Sequence, residues 1–248
     1  MVCTTFANMI SKNQQKLVRQ LELKKNRKKE GLFVAEGPKV VGDLLHEGFK
    51  ASVLFATEAW KGPRDIDVTD EELRRLSFLQ HPQQVLGIFK IPSMTPTLPL
   101  EPHLYLALDG IQDPGNLGTI IRIADWFGIS AIYCSEETAD VWNPKVVQAT
   151  MGSISRVPIY YIDLKELIKS TTLPVYGTFL DGKNIYEYPL TQDGIIVMGN
   201  EGNGISQEVR NFIKNRLLIP DFHEGETADS LNVAIATAIA CSEFRRRF

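Results

Sequence analysis

The chain has 248 residues, 44% hydrophobic and 23% charged. That is the mix of a globular protein long enough for two domains, and it excludes a disordered, collagenous or disulfide-stapled chain. The net charge of −3 conceals an asymmetry: residues 1–100 carry 15 Lys+Arg against 11 Asp+Glu, and residues 101–248 carry 12 against 19.

Three scattered cysteines, Cys3, Cys134 and Cys241, imply a reducing compartment, and a cytoplasmic location is expected. The four histidines fall in no ligand spacing, so no metal site is expected. No basic run followed by an apolar core opens the chain, and the longest uncharged apolar stretch, Leu231 to Ser242, is too short to cross a bilayer.

In chain order, Ser11 with Gln14 reads as a capping box opening one basic helix, buried along Leu17, Val18 and Leu21 and stopped at Gly31. Lys12 to Lys29 holds eight basic residues against one acid, Glu22. Such a stripe can hold phosphates, although a solvated helix face has the same composition. Strands follow at 32–37, 52–56 and 85–89, with helices at 39–46 and from the Thr69/Glu72 capping box to about Leu79. IPSMTPTLPLEPH (91–103) carries four prolines and reads as a stiff connector. Domains are therefore expected at 1–95 and 103–248, joined by a Pro-rich linker at 96–102.

Beyond it, strands are predicted at 104–110, 131–134, 159–162, 174–179, 195–198 and 217–219. Helices fall after 110, near 144–151, at 164–170, at 206–214 and over the last apolar segment. That alternation implies a mainly parallel sheet covered on both faces.

Three loops follow strands and mix glycine with polar side chains: LDGIQDPGNLGTIIRIADWFG (108–128), IVMGNEGNGIS (196–206) and IPDFHEGETADSLNVAIA (219–236). In a parallel sheet, ligands bind at such loops. Walker and dinucleotide glycine patterns are missing, as is a nucleophile elbow. A nucleotide-dependent oxidoreductase is therefore poorly supported.

These segments resemble the three motifs of the SpoU (TrmH-type) RNA 2′-O-ribose methyltransferases, within the SPOUT class. Asn116 and Arg122 match the first motif, Glu201 the second, and Ser230, Leu231 and Asn232 the third. The similarity extends to PKVVQATMGS (144–153) and, in KKNRKKEGLFVAEG (24–37), to the substrate-binding domain that precedes the catalytic domain in many members.

The resemblance implies a small L30e-like α/β substrate-binding domain and an α/β-knot catalytic domain with a deep trefoil knot. It also implies S-adenosylmethionine as methyl donor, a homodimer, and structured RNA as substrate, with ribosomal RNA favoured over transfer RNA. The implied catalytic set is Arg122, Asn116, Glu201, Ser230 and Asn232, with Gly199, Ile219 and Leu231 against the cofactor and Lys24, Lys25, Arg27, Lys28 and Lys29 on RNA. Asn116 is also a candidate N-cap of its helix, as Ser230 is of the last one. The alternative is an RNA-binding protein that keeps the fold without transfer. The acidic stretch 221–229, with Asp221, Glu224, Glu226 and Asp229, is unusual beside an RNA site.

Overall fold

The structure is a computed structural model that describes residues 10–93, 95–99, 101–223 and 230–248. It divides into two compact units. One runs to Ser93 and takes in Asp140–Ser155; the other holds the chain up to Ala139 and Arg156–Phe248.

The first unit contains α1 (Lys12–Gln20), α2 (Lys24–Glu30), β1 (Leu32–Glu36), α3 (Pro38–His46), β2 (Ala51–Ala56), β3 (Ile66–Asp67), α4 (Asp70–Leu76) and β4 (Val85–Lys90). Both capping boxes form: Ser11 with Gln14 opens α1, and Thr69 with Glu72 opens α4. The expected single basic helix is instead two. Leu21 ends α1 with its side chain in the core, and Leu23 takes extended φ/ψ before α2 begins. Gly31 then closes α2 at φ 64°, a left-handed cap that glycine adopts without Cβ strain.

The sheet order is β1-β4-β2-β3. β4 pairs antiparallel with both β1 and β2, and only the two-residue β3 is parallel. Val34, Phe55, Leu86 and Ile88 meet Val18, Leu21, Leu73 and Leu76 in one core. Glu36 is buried beneath α4. Desolvation raises its pKa, against hydrogen bonds donated by Ser77 Oγ and Phe78 N.

The second unit begins with β5 (Leu104–Asp109), α5 (Pro114–Trp126) and β6 (Ile132–Cys134). The chain then enters the first unit as α6 (Pro144–Ala149), which packs on β1, and a 3₁₀ turn at Ser153–Ser155. It returns as β7 (Ile159–Tyr161), α7 (Leu164–Ser170), β8 (Val175–Asn184), β9 (Gly194–Gly199), α8 (Gln207–Arg210), β10 (Asn215–Leu218) and α9 (Val233–Arg246). The helix expected over 206–214 is thus a single turn, and after four more residues the chain enters a strand.

Every pair in the second sheet, ordered β10-β8-β9-β5-β6-β7, is parallel. β5 and β9 are buried at every position, the pattern of strands covered on both faces. α9 packs along α5 through a buried stripe of Val233, Thr237, Ala240 and Phe244. Arg245 then donates to the carbonyls of Phe127 and Gly128 at 2.8 and 2.6 Å, satisfying the end of α5. Among the described residues, no helix is long and apolar enough to cross a membrane.

Candidate active site

The loops after β5, β9 and β10 lie at carboxyl ends of parallel strands, and each is shaped by its own polar residues. After β5, Asp113 caps α5 by accepting from Asn116 N at 2.8 Å, with Pro114 in the first turn. The cap is therefore Asp113 and not Asn116, which frees the Asn116 amide for other partners. After β9, Asn200 folds the loop onto itself. Its Oδ1 accepts from Gly202 N and Asn203 N, both at 3.0 Å, and its Nδ2 donates to Gly110 O at 2.7 Å. A Cβ on Gly199 would lie 2.2 Å from backbone atoms of Gly204 and Ile205, so the returning loop itself requires glycine there. Buried Asp109 fixes the far end of this loop by accepting from Ser206 N at 2.7 Å.

Glu201 joins the first two loops. Its Oε1 accepts from Asp113 N at 3.2 Å and Asn116 Nδ2 at 3.0 Å, and its Oε2 accepts from Gln112 N at 3.2 Å. Burial pushes this carboxyl up, but the Asn116 amide and the backbone N–H groups outweigh it and hold the pKa below the ordinary value. Asn116 Oδ1 accepts in turn from Asn232 Nδ2 at 2.9 Å. Asn232 Oδ1 caps α9, accepting from Ala234 N at 3.0 Å and Ile235 N at 3.3 Å. The cap of the last helix is thus Asn232 and not Ser230. One residue from each loop enters a continuous chain, Glu201–Asn116–Asn232.

Beside this chain opens a cleft of about 620 Å³, lined by Gly199, Glu201, Ile219, Ser230 and Leu231 together with Thr178, Met198 and Leu217. Its size and its mixture of apolar side chains with backbone polar groups suit one organic cofactor. Gly199, Ile219 and Leu231 thus all line the same cleft.

Arg122 stands elsewhere. Six residues after Asn116 on α5, it leaves the helix on another face, is exposed, and has no ion pair among the described residues. On that face, one turn further on, Trp126 is 85% exposed.

The lysines Lys24, Lys25, Lys28 and Lys29 belong to the first unit, and all are exposed. Arg27 is the exception in that set. Its side chain is 2% exposed and ion-paired with Asp140, so it cannot reach a phosphate, and its place among RNA-contacting residues is withdrawn. In the acidic stretch, Asp221 Oδ1 accepts from His223 N; Glu224, Glu226 and Asp229 lie outside the described residues.

Asp109, Asp113 and Asn200 escaped the sequence reading. The Asp-Pro pair is a helix-start signature that marks Asp113, and Asn two residues before glycine marks an Asx turn at Asn200. Asp109 has no local signal, because its partner is Ser206.

A wholly parallel sheet, with a cleft walled by three loops that a carboxylate and two amides tie together, defines a SPOUT-class methyltransferase domain, here accompanied by a small α/β domain. The chain belongs to the SpoU rRNA Methylase family, whose model matches residues 103–242; an MRM3-like substrate binding domain matches residues 12–87. It is an enzyme, and S-adenosylmethionine is its methyl donor.

Among curated proteins, it is 29% identical over 247 residues to the 23S rRNA (guanosine(2553)-2′-O)-methyltransferase RlmP of Bacillus subtilis, covering 95% of this chain and 97% of that one. A TrmH-family structure from Porphyromonas gingivalis is 42% identical with a TM-score of 0.86, covering 97% of this chain and 100% of that chain. An AdoMet-bound rRNA methyltransferase from Sinorhizobium meliloti is 34% identical with a TM-score of 0.83, covering 94% of each.

Proposed function

We propose that this enzyme methylates a ribose 2′-hydroxyl of ribosomal RNA, in the cytosol and as a homodimer. Residues 1–95, with Asp140–Ser155 packed into the same unit, grip RNA, 96–102 link, and the rest of 103–248 binds the donor and catalyses. The Glu201–Asn116–Asn232 chain, set on the rim of a cofactor-sized cleft, is the observation that carries this reading. RlmP, similar along nearly its whole length, supports ribosomal RNA over transfer RNA. Buried free thiols at Cys134 and Cys241 suit a reducing compartment.

When bound, the donor would supply an electrophilic methyl group carried on a sulfonium. The protein's tasks are alignment and help for a hydroxyl that must lose its proton. Gly199, Ile219 and Leu231, which line the cleft with Ser230, would hold the cofactor. Asn232 and Asn116 orient each other's amides through their shared hydrogen bond. Glu201 is a positioning residue: its oxygens already accept four hydrogen bonds, the longest from Asn200 Nδ2 at 3.5 Å, and its lowered pKa makes it a weak base. The role of Arg122 is to fork its guanidinium onto the phosphate beside the reacting ribose and to stabilise the developing alkoxide.

Arg122 can do this at the cleft of a partner subunit. Trp126, Leu231 and Ile235, exposed by 85%, 51% and 53%, supply apolar surface of the kind dimers cover.

Labelled donor and ribosomal RNA should give label on a ribose 2′-oxygen, read as a bond that resists alkaline cleavage. Label on a base, or on transfer RNA alone, would overturn the assignment. In the first unit, changing Lys24, Lys25, Lys28 and Lys29 together to Gln should weaken RNA binding. At roughly 0.7 of salt slope per neutralised phosphate on single strands, the log–log slope should flatten by about two to three. Donor affinity should not change, and a wild-type slope would return these lysines to ordinary surface.

A further inference from the structure

α2 is a poor helix on its own terms. Its seven residues, KKNRKKE, fall well short of the roughly 12–15 at which an isolated helix begins to hold. Leu23 offers no side-chain cap, and Lys24 and Lys25 occupy the first turn, where the helix dipole disfavours cations. Lys24 and Lys28 stand four apart, as do Lys25 and Lys29, so both pairs repel. Among the described residues these four lysines make one ion pair, Lys29 with Glu30 at 3.4 Å, and that lysine side chain is 79% exposed.

The element is held from its buried side. Arg27 Nε and Nη2 both donate to Asp140 Oδ2, at 3.0 and 2.5 Å. Its Nη1 donates to the carbonyls of Leu21 and Glu22, at 2.8 and 2.6 Å, where the chain leaves α1. Asp140 is itself fixed, because its Oδ1 accepts from Trp142 N at 3.1 Å on the approach to α6. A planar fork is needed to serve both sets of acceptors together, and lysine cannot supply one.

We propose that Arg27 is a positioning residue for RNA binding. It touches no phosphate, but by bridging the end of α1 to Asp140 it holds a self-repelling helix as a preformed, exposed row of lysines matched to an RNA phosphate backbone. The proposal rests on the reading that those lysines grip RNA. Its physical content is preorganisation: a row already ordered meets phosphates without an ordering cost at binding, whereas a frayed one loses contacts. Phosphate also relieves the repulsion that makes α2 unstable alone.

The test uses the full-length protein and a ribosomal RNA fragment titrated at several salt concentrations. Three variants are compared: Arg27→Lys, Asp140→Asn and the quadruple lysine-to-Gln change. Circular dichroism with a thermal melt counts folded protein in each. A smaller folded fraction lowers apparent affinity but leaves the salt slope unchanged, whereas lost phosphate contacts flatten it.

Arg27→Lys and Asp140→Asn should each weaken RNA binding roughly tenfold and flatten the slope by about one to two. Added to the quadruple variant, Arg27→Lys should have almost no further effect, since nothing is left to position. Should Arg27→Lys fail to fold, Asp140→Asn, which keeps an acceptor for Trp142 N, carries the same expectation. A flattened slope in the quadruple variant with wild-type slopes in both others overturns the positioning role and leaves the lysine reading intact. An unchanged slope in the quadruple variant overturns both.

Discussion

Replacing Arg122 by Ala should lower methyl transfer by about 10²–10³-fold, the usual loss when a donor to a developing oxyanion is removed. Binding of S-adenosylmethionine should stay within about twofold, because Arg122 lies on an exposed face of α5 and does not line the cleft. Stability should hardly change, since exposed substitutions away from special features cost roughly 0.5 kcal/mol or less. Transfer and donor binding therefore separate in one variant, as they do for a group that acts on the acceptor.

The same residue tests whether the site is shared between subunits. An Arg122→Ala chain keeps a sound cleft, and an Ile219→Glu chain, with a carboxylate placed on the cleft lining, keeps a sound arginine. If each cleft takes its arginine from the partner, a mixed dimer contains one complete site and one doubly defective site. Equal mixing should then recover about a quarter of wild-type activity from two inert parents. If the arginine serves its own cleft, every site in the mixture stays defective. Mixed dimers that form, by tagged co-purification, yet stay inert would rule out exchange.

Local chemistry in the sequence reached most elements and stopped at distant partners. The Ser11/Gln14 and Thr69/Glu72 boxes, Gly31 as a stop, and the alternation of apolar strands beyond the proline-rich stretch all depend on neighbours within a few positions. They were legible for that reason. The break between α1 and α2 was not, because Leu21 ends α1 by entering a core built from distant strands, and Arg27 ties the break to Asp140, 113 residues away. The antiparallel pairing of β4 with β1 and β2 is likewise a matter of register between separated segments.

At the site, the motif residues could be named from the three loops, but their roles could not. Composition shows an Asn, a Glu and an Asn in three loops. Only the packing of β9 beside β5 shows that they bond to one another. Arg27 is the opposite case. Five basic residues in KKNRKK look equivalent in sequence, and burial separates one from the other four.

Changing Glu201 to Ala should lower both transfer and donor affinity. The carboxylate is the joint between the loop that carries Asn116 and the loop whose residues Gly199 to Gly204 wall the cleft. Hydrogen bonds to a charged group contribute roughly 1.5–3 kcal/mol each in favourable settings, and this one is partly exposed, so the lower end applies. A shift of about 1 Å between the loops would itself cost about 10²-fold in rate.

Glu201→Gln isolates the charge. One carboxamide oxygen replaces two acceptor atoms, so a backbone N–H then faces an NH₂ group, and part of the loss should persist. The pH dependence follows from the lowered pKa. The stabilisation from the ionised group is fully present above its ordinary value of 4.5 and is lost as pH falls through the lower folded value. The gap in thermal midpoint between wild type and Glu201→Gln should therefore be widest near neutrality and narrow below about pH 4. A gap that stays constant with pH, or a Gln variant that binds donor and transfers methyl groups as the wild type does, would show that Glu201 does not hold the loops through its charge.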